Sequence, residues 1–469
     1  MRNFYPKELE RLLVGKIISW QEDWPIKVIS DDIDDEPIEN SLFFLFEEYD
    51  NEEELCSWLK KGGVRGVVVR KNSNLNVDKW KRAGIGIIEV DSINNAYVLI
   101  AKEYRKQFRV PFVQVIGSSG KTTTKEMIGS VLNAKYPSLV GYNNFNAPAG
   151  VAYNLLSMRD KFKAAVLEVG MKGPEIMRYS TSLIKPDIVV LTCIHRSHLV
   201  ELGSIENIIK AKAEVLDYLK QEGTLIINGD DENCRRFPLD KFRGQVLRFG
   251  FSKDYDIWAE DIECSNFITT FKAVGNNFIV PCTINTFGRY NVANALAAVL
   301  VGIQLGLSSD QIERGIQNFK TLSGRLKVYK GIQNTILVDD NFNANPDSTC
   351  LFIREVPNIS MNRPVVLVMG DMERPDENIE EYARKVHYKI GEELASIEFQ
   401  HLIAVGKWAK HYIDGAKNKG VNPLKMSYYT SVEEASKNIE EYIIRDALVL
   451  FKASSYTPVK KLREILEEK

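Results

Sequence analysis

Short apolar runs alternate with stretches of helical periodicity along most of the chain. Residues 1 to about 105 combine the apolar runs SLFFLF, VRGVVVR and GIGIIEV with the helical stretch EEELCSWLKKG, which predicts a small α/β unit. From Val110 the alternation becomes regular, because PFVQVIG, AAVLEVG and PDIVVLTCI each precede a helical stretch. Regular alternation of this kind predicts a parallel sheet that is covered by helices.

The pattern changes twice further along the chain. Residues 250 to 285 contain NFITTFKAV and NNFIVPCTI, which predict a β-rich insertion, and NVANALAAVLVGIQLG then predicts a long helix. A second α/β series begins near residue 320, with predicted strands in TILVDD, PVVLVMG, HLIAVG and ALVLFKAS and a last helix in PVKKLREILEEK. We therefore expect an α/β protein of three domains, spanning residues 1–107, 108–320 and 321–469, with a Rossmann-like C-terminal domain.

Composition narrows the class of protein. The 469 residues are 44% hydrophobic and 26% charged, and the net charge of −2 gives no electrostatic reason to expect a nucleic-acid or membrane surface. No apolar run reaches the ~18 residues of a membrane span, and MRNFYPKELERLL lacks the apolar run of a signal peptide. The six cysteines form no C-x-x-C pair, which favours reduced thiols in the cytoplasm. We expect small-molecule substrates, no nucleic-acid partner, no membrane insertion and a monomer.

The stretch VQVIGSSGKTTTKEM predicts an apolar strand, a turn of small residues and a helix. It resembles the P-loop pattern G-x-x-x-x-G-K-[ST], except that Val115 stands at the first glycine and Gly117 lies three residues before Gly120. Small residues let backbone N–H groups approach phosphate oxygens, and the helix adds its positive N-terminal end. Lys121 supplies a point charge and the Thr122 hydroxyl can reach Mg²⁺. The alternative is an ordinary strand-to-helix turn.

Two polar residues lie near the ends of neighbouring predicted strands. Glu168 lies near the carboxyl end of AAVLEVG, where a buried carboxylate is costly unless it is paired. A metal ion or a Lys or Arg side chain would neutralise this carboxylate. The predicted phosphate loop on the neighbouring strand favours the metal ion. His198 follows PDIVVLTCI in HRSHLVELGS, where a lone histidine is more often structural than a ligand, and His195 has less support still.

Lys212 occupies an apolar face of a predicted helix. The helix from Ser204 places apolar residues at the spacing of one face, and position 212 completes that stripe. A buried ammonium tends to become neutral, and a neutral amine can react with CO₂ to give a carbamate, an anionic oxygen ligand for Mg²⁺. The alternative, that the lysine extends to solvent along its stem, is equally compatible with the periodicity.

These residues together resemble the Mur ligases, the ATP-dependent amide-forming enzymes of peptidoglycan synthesis. That family uses a short loop, G-x-x-G-K-[ST]-T, without the first P-loop glycine, which accounts for Val115. From about residue 110 onward, LEVGMKGPEI, SHLVELGS, AKAE, GRYNVANALAA, SGRLKV and MGDM are similar to family motifs in the family's order. DDNFNANPDS resembles D-D-S-Y-N-A-N-P-D-S, the element most specific to the branch that adds D-alanyl-D-alanine. The resemblance implies a central P-loop-type ATP-binding domain between an N-terminal acid-substrate domain and a C-terminal domain that receives the amine and completes the ATP site.

The resemblance also implies a role for each matching position. The loop residues that hold the ATP phosphates are Gly117, Ser118, Ser119, Gly120, Lys121, Thr122 and Thr123. One Mg²⁺ is bound by Thr122 and Glu168, and a second by His198 and a carbamylated Lys212. Asn294 contacts adenine, Arg325 reaches the phosphates from the C-terminal domain, and Asp340 binds the ribose, with Asn343 and Asn345 in the same loop. The residues expected to act in catalysis are Lys121, His198, Lys212 and Arg325.

The implied reaction forms an acyl phosphate from a carboxylate and ATP, and an amine then displaces phosphate. The expected substrates are UDP-N-acetylmuramoyl tripeptide and D-alanyl-D-alanine. Departures from the family pattern fall in the regions expected to bind the acid and the amine. The N-terminal domain lacks the D-S-R and D-G-H signals and contains the acidic run SDDIDDEPIEN. In the C-terminal domain, Ser455 replaces an expected arginine. A relative that joins a different acid and amine in a specialised pathway is the alternative. A non-catalytic nucleotide-binding partner is a further alternative, against which the complete set of phosphate and metal residues argues.

Overall fold

The computed structural model describes residues 3–20, 24–30, 38–47, 49, 51–171, 173–196, 202–240, 242–372 and 379–468. Within these ranges the chain forms three β-sheets, each with helices packed against it. We call the parts of the chain built on these sheets the first, second and third unit. The sheets are dominated by parallel strands, which confirms the predicted α/β class.

The first unit has five strands in the order β1-β5-β4-β3-β2, of which β1 alone among these five pairs antiparallel to its neighbour. The strands are β1 Gly15–Ser19, β2 Val28–Ser30, β3 Ser41–Phe44, β4 Gly66–Arg70 and β5 Gly86–Val90. The helices are α1 Pro6–Leu12, α2 Glu52–Lys61, α3 Val77–Ala83 and α4 Ile93–Arg105. The Trp20 ring covers the sheet here, because a Cβ on Gly66 or Gly86 would lie 2.3 or 2.2 Å from it.

The second unit has nine strands in the order β14-β13-β12-β11-β10-β9-β6-β8-β7. The strands are β6 Phe112–Ile116, β7 Ser138–Val140, β8 Ala164–Glu168, β9 Ile188–Leu191, β10 Thr224–Asn228, β11 Gln245–Gly250, β12 Ile257–Ser265, β13 Ile268–Gly275 and β14 Phe278–Ile284. The helices are α5 Lys121–Asn133, α6 Pro148–Leu156, α7 Ile176–Ile184, α8 Ile205–Ala213, α9 Glu232–Arg235, α10 Arg289–Gln304 and α11 Ser309–Gln317. Strand β6 pairs in parallel with β8 and β9, so the segments that follow these three strands meet at one edge of the sheet.

The third unit has six strands in the order β15-β16-β20-β17-β18-β19, with β15 antiparallel to β16. The strands are β15 Lys327–Gly331, β16 Thr335–Asp340, β17 Val365–Gly370, β18 His401–Val405, β19 Met426–Tyr429 and β20 Leu448–Lys452. The helices are α12 Pro346–Ser360, α13 Glu380–Leu394, α14 Lys410–Asn418, α15 Val432–Ser436 and α16 Lys460–Leu466. Helix α12 starts at a capping box, in which the Asn345 side chain accepts from the Ser348 backbone N–H.

The structure refines several predicted elements. The helix predicted from Ser204 ends at Ala213 and continues as a 3₁₀ turn over Glu214–Asp217. The β-rich insertion is an antiparallel extension of the second sheet, since β12 pairs in parallel with β11 and antiparallel with β13. Strands β15 and β19, at the two edges of the third sheet, lie outside the predicted strand set. In the described part of the chain, no helix is both long and apolar enough to cross a membrane.

Candidate active site

The predicted phosphate loop, residues 117–120, follows β6 and leads into α5. Gly120, the N-cap of α5, has a left-handed φ of 79°, which favours glycine. Gly117 has a φ of 150°, and a Cβ there would lie 2.0 Å from the Thr192 hydroxyl oxygen. The two glycines of the short loop are thus required by backbone conformation and by close packing against the end of β9.

Lys121 and Thr122 occupy the first turn of α5. The Lys121 ammonium donates to the carbonyl of Gly117 at 2.9 Å, which folds the side chain back over the loop. Burial lowers the pKa of Lys121, and the nearby Glu168 carboxylate opposes that shift. The Thr122 hydroxyl oxygen accepts from Arg325 Nη2 at 3.1 Å. A residue of the third unit therefore already contacts the loop that the sequence predicts to bind phosphate.

Glu168 ends β8 and is 2% exposed. Its Oε1 accepts from the Asn146 side-chain amide at 2.7 Å, whereas Oε2 is buried and has no hydrogen-bond partner among the described residues. No lysine or arginine of the described ranges forms an ion pair with it within 4.0 Å, so the salt-bridge alternative has no support there. A buried carboxylate oxygen without a partner is a free ligand position for a cation.

Lys212 lies on α8 and is 2% exposed, so the alternative in which it extends to solvent is wrong. Burial lowers the pKa of Lys212 to about 7, and the charge on Lys121 acts in the same direction. A substantial fraction of the amine is therefore neutral at physiological pH, which is the form that reacts with CO₂.

The third unit makes two further hydrogen bonds with the second, one with the loop after β6 and one with the segment after β9. The Asn345 amide, at the N-cap of α12, donates to the Ser119 hydroxyl at 3.2 Å. Asp347, in the first turn of α12, accepts from the Arg196 backbone N–H at 3.2 Å. With the Arg325 contact, three residues of the third unit touch segments that follow β6 and β9.

The predicted nucleotide-side residues have different surroundings. Asn294 lies on α10 against the loop, because a Cβ on Gly120 would lie 2.9 Å from its Oδ1. Asp340 ends β16 and accepts from the Lys452 ammonium at 2.5 Å, so its carboxylate already has a cationic partner. Asn343 lies in the exposed part of the segment between β16 and α12.

His198 and the rest of SHLVE lie outside the described residues, as do residues 31–37 of the acidic run and all of ERPDEN after MGDM. His195 is described and lies in a polar group with Cys193 and Asp231, which no sequence motif indicates. Its Nε2 lies 3.3 Å from Asp231 Oδ2, and the Ser119 N–H donates to the Cys193 sulfur at 3.3 Å. Burial alone would lower the pKa of His195. The neighbouring Cys193 and the hydrogen bond to Asp231 outweigh burial and raise that pKa.

Two other residues were missed because their importance arises from contacts between segments. Lys125 is fully buried on α5, and its ammonium donates to the carbonyls of Gly141 and Asn143. Asn146 bonds Glu168 from the same 141–147 segment. The only sequence signal is the asparagine-rich string GYNNFNAP, which by itself is typical of any turn.

The donor set suits a magnesium ion that is bound jointly by protein and nucleotide. Within the described ranges, no group of three or more His, Cys, Asp or Glu side chains could hold a metal alone. Mg²⁺ is commonly held by one or two carboxylates together with substrate phosphates and waters. The Oε2 of Glu168, which has no partner among the described residues and lies near the loop predicted to bind phosphate, fits that arrangement.

Comparisons with known proteins agree with this geometry. Residues 115–302 match the model of the Mur ligase middle domain. The chain is 30% identical over 384 residues to the UDP-N-acetylmuramoyl-tripeptide–D-alanyl-D-alanine ligase of Bacillus subtilis, a match that covers 81% of this chain and 80% of that protein. The protein of the same name from Haemophilus influenzae is 28% identical over 405 residues, covering 85% of this chain and 84% of that protein.

Solved structures extend the likeness to the whole fold. MurF from Acinetobacter baumannii superposes with a TM-score of 0.84 at 24% identity and covers 100% of both chains. The MurF ligase of Thermotoga maritima, solved in complex with ADP, gives a TM-score of 0.76 at 21% identity and covers 95% of this chain and 98% of that chain. The three-unit architecture is therefore shared with these enzymes.

Proposed function

This chain belongs to the Mur ligase family, and on that premise we propose that it joins a carboxylic acid to an amine, converting ATP to ADP and phosphate. The observation that carries the proposal is the convergence on the phosphate loop: Lys121 lies over it, and Arg325 and Asn345 reach it from the third unit. A site assembled from two units suits a reaction in which an unstable intermediate must be kept from water.

The proposed mechanism gives each of these residues a part in the reaction. The loop N–H groups and the N-terminus of α5 bind the ATP phosphates, and Lys121 supplies positive charge. A carboxylate oxygen of the acid attacks the γ-phosphorus, ADP leaves, and an acyl phosphate forms. The amine nitrogen then attacks the acyl carbon, the C–O bond to phosphate breaks, and the nitrogen loses a proton. Arg325 adds charge to the transferring group, and Asn294 and Asp340 bind the nucleoside.

The residues proposed to hold Mg²⁺ are Thr122 and Glu168 for one ion, and His198 and Lys212 for a second. When bound, these ions would neutralise charge on the transferring phosphoryl group. Support for the first site comes from the free, buried Oε2 of Glu168. Support for the second comes from the burial of Lys212, whose neutral amine would bond to CO₂ and lose a proton to give a carbamate.

The proposed substrates are those in the names of the relatives: UDP-N-acetylmuramoyl tripeptide as the acid and D-alanyl-D-alanine as the amine. This would place the enzyme in peptidoglycan synthesis, in the cytoplasm, where its ATP is available. We propose residues 1–107, 108–320 and 321–469 as the acid, ATP and amine domains, acting in a monomer. The alternative, a paralogue that uses another acid and amine, is favoured by the missing D-S-R and D-G-H signals and by Ser455.

The proposal is tested by incubating the purified protein with Mg²⁺-ATP, the UDP-linked tripeptide and D-alanyl-D-alanine, followed by mass spectrometry. We expect a UDP-linked pentapeptide and one phosphate per product, and neither with Lys121→Met. If folded protein binds ATP but gives no pentapeptide, the MurF-type substrate assignment is wrong. The same assay with a panel of acids and amines would then test the paralogue alternative.

A further inference from the structure

The hydrogen bond between Asn146 and Glu168 divides the two oxygens of one carboxylate. Oε1 accepts from Asn146 Nδ2 at 2.7 Å, and Oε2 has no partner among the described residues although it is buried. An ionised carboxylate only accepts hydrogen bonds, so the Asn146 amide must present its NH₂ group to Glu168. The bond therefore fixes the carboxylate's rotation and leaves Oε2 available.

The segment that carries Asn146 is held firmly in place. The buried Lys125 ammonium donates to the carbonyls of Gly141 and Asn143, and Asn154 accepts from the Tyr142 N–H and donates to the Phe145 carbonyl. These bonds tie the 141–147 segment to helices α5 and α6. Asn146 is thus delivered to Glu168 by an ordered backbone.

Gly170 fixes the Asn146 side chain from the other side. The Gly170 N–H donates to the backbone carbonyl of Asn146 at 2.9 Å. A Cβ on Gly170 would lie 2.6 Å from the side-chain oxygen of Asn146, Oδ1. A methyl group there must push the amide away from its present position. Gly170 has no left-handed φ, so an alanine would act by its volume and without backbone strain.

We propose that Asn146 is a positioning residue that holds Glu168 with Oε2 free to bind Mg²⁺. The inference rests on the proposed metal role of Glu168 and adds a residue that the family motifs quoted above do not include. Hydrogen-bond partners that orient a metal ligand typically contribute about 10- to 100-fold to metal affinity or activity. Loss of this one should therefore weaken metal binding while the nucleotide loop stays intact.

The test measures Mn²⁺ affinity by electron paramagnetic resonance in the presence of a non-hydrolysable ATP analogue, with KM for Mg²⁺ and kcat measured alongside. We expect Asn146→Ala and Gly170→Ala each to weaken Mn²⁺ binding about 10-fold or more and to raise KM for Mg²⁺. Asn418→Ala removes a distant amide-to-carboxylate bond, to Glu392 at 3.2 Å, and should change neither. Gly173→Ala adds a methyl group where no atom of the described residues lies within 4 Å, and should also change neither quantity.

Glu168→Ala distinguishes the positioning role of Asn146 from the metal role of Glu168. If Glu168→Ala weakens Mn²⁺ binding and Asn146→Ala does not, the positioning role is wrong and the metal role stands. If Glu168→Ala binds Mn²⁺ as the wild type does, the proposed metal role is wrong and the inference falls with it. Thermal melts identify variants that fail to fold, and Gly170→Ala then decides the positioning role, because it leaves Asn146 present.

Discussion

Replacing Lys212 by methionine should make the second unit more stable and the enzyme inactive. Lys212 is 2% exposed, and burial lowers its pKa from the ordinary 10.5 to about 7. The folded protein therefore resists the charged form, which the unfolded chain accepts freely. Methionine has a similar length and no charge, so it fills the same space without that penalty.

The size and sign of the effect follow from proton linkage. Between pH 7 and 10.5 the unfolded chain binds more protons at this group than the folded chain, so wild-type stability rises with pH across that window. At pH 7 the penalty is about 4 kcal/mol at most. The gain from Lys212→Met should be largest below pH 7 and should disappear near pH 10.5.

The assay is calorimetry in bicarbonate-free buffer at several pH values. It follows the unfolding transition whose temperature ATP shifts. Lys210→Met serves as the control, because Lys210 is an exposed lysine on the same helix. We expect a higher melting temperature for Lys212→Met at pH 6 than for wild type, a smaller difference at pH 9, and loss of ligase activity. A pH-independent difference, or full activity in Lys212→Met, would refute the reasoning.

Three further predictions concern the loop, the contact between units and the third unit. Gly117→Ala should weaken ATP binding at least ~10-fold in calorimetric titrations. The added Cβ would lie 2.0 Å from the Thr192 hydroxyl oxygen, and the backbone there is left-handed. An unchanged affinity would contradict this packing of the loop. Arg325→Ala should lower kcat more than it changes ATP affinity. Arg325→Lys should not restore kcat, because the planar guanidinium makes the Thr122 contact. Full activity of either variant would argue against a role for that contact. Burial lowers the pKa of His387 from 6.5 to about 4, so the third unit should lose about 3 kcal/mol of stability as the pH falls between those values. Urea unfolding of wild type and His387→Gln at pH 7 and 4.5 checks this, and an equal loss in both would show that His387 is not the cause.

Much of the fold was predictable because its signals are local. The strand–turn–helix at residues 112–133 follows from local spacing and appears in the structure. Spacing also places Lys212 on the apolar face of its helix, but it left burial and extension to solvent equally open, and only the structure shows that Lys212 is buried. The early end of α8 was not predictable, because the apolar stripe continues past Ala213 while the backbone tightens into a 3₁₀ turn. Edge strands such as β19 lack a distinctive pattern, since they pair on one side alone.

The site was predictable as a list of residues and less so as a set of contacts. The resemblance indicated that Arg325 comes from the last domain, and the structure places it on Thr122, 203 residues away in sequence. The bond from Asn146 to Glu168 and the group of Cys193, His195 and Asp231 depend on which segments meet at the ends of β7, β8, β9 and β10. Such meetings are decided by tertiary packing, so no single stretch of sequence predicts them.

In the proposed mechanism, a carboxylate oxygen of the acid attacks ATP and leaves as part of the released phosphate. The most direct test supplies UDP-N-acetylmuramoyl tripeptide labelled with ¹⁸O in its terminal carboxylate, together with ATP and D-alanyl-D-alanine, and measures the phosphate by mass spectrometry. An acyl phosphate requires one ¹⁸O atom in each phosphate that accompanies an amide bond. Formation of the pentapeptide with unlabelled phosphate would contradict the proposed mechanism.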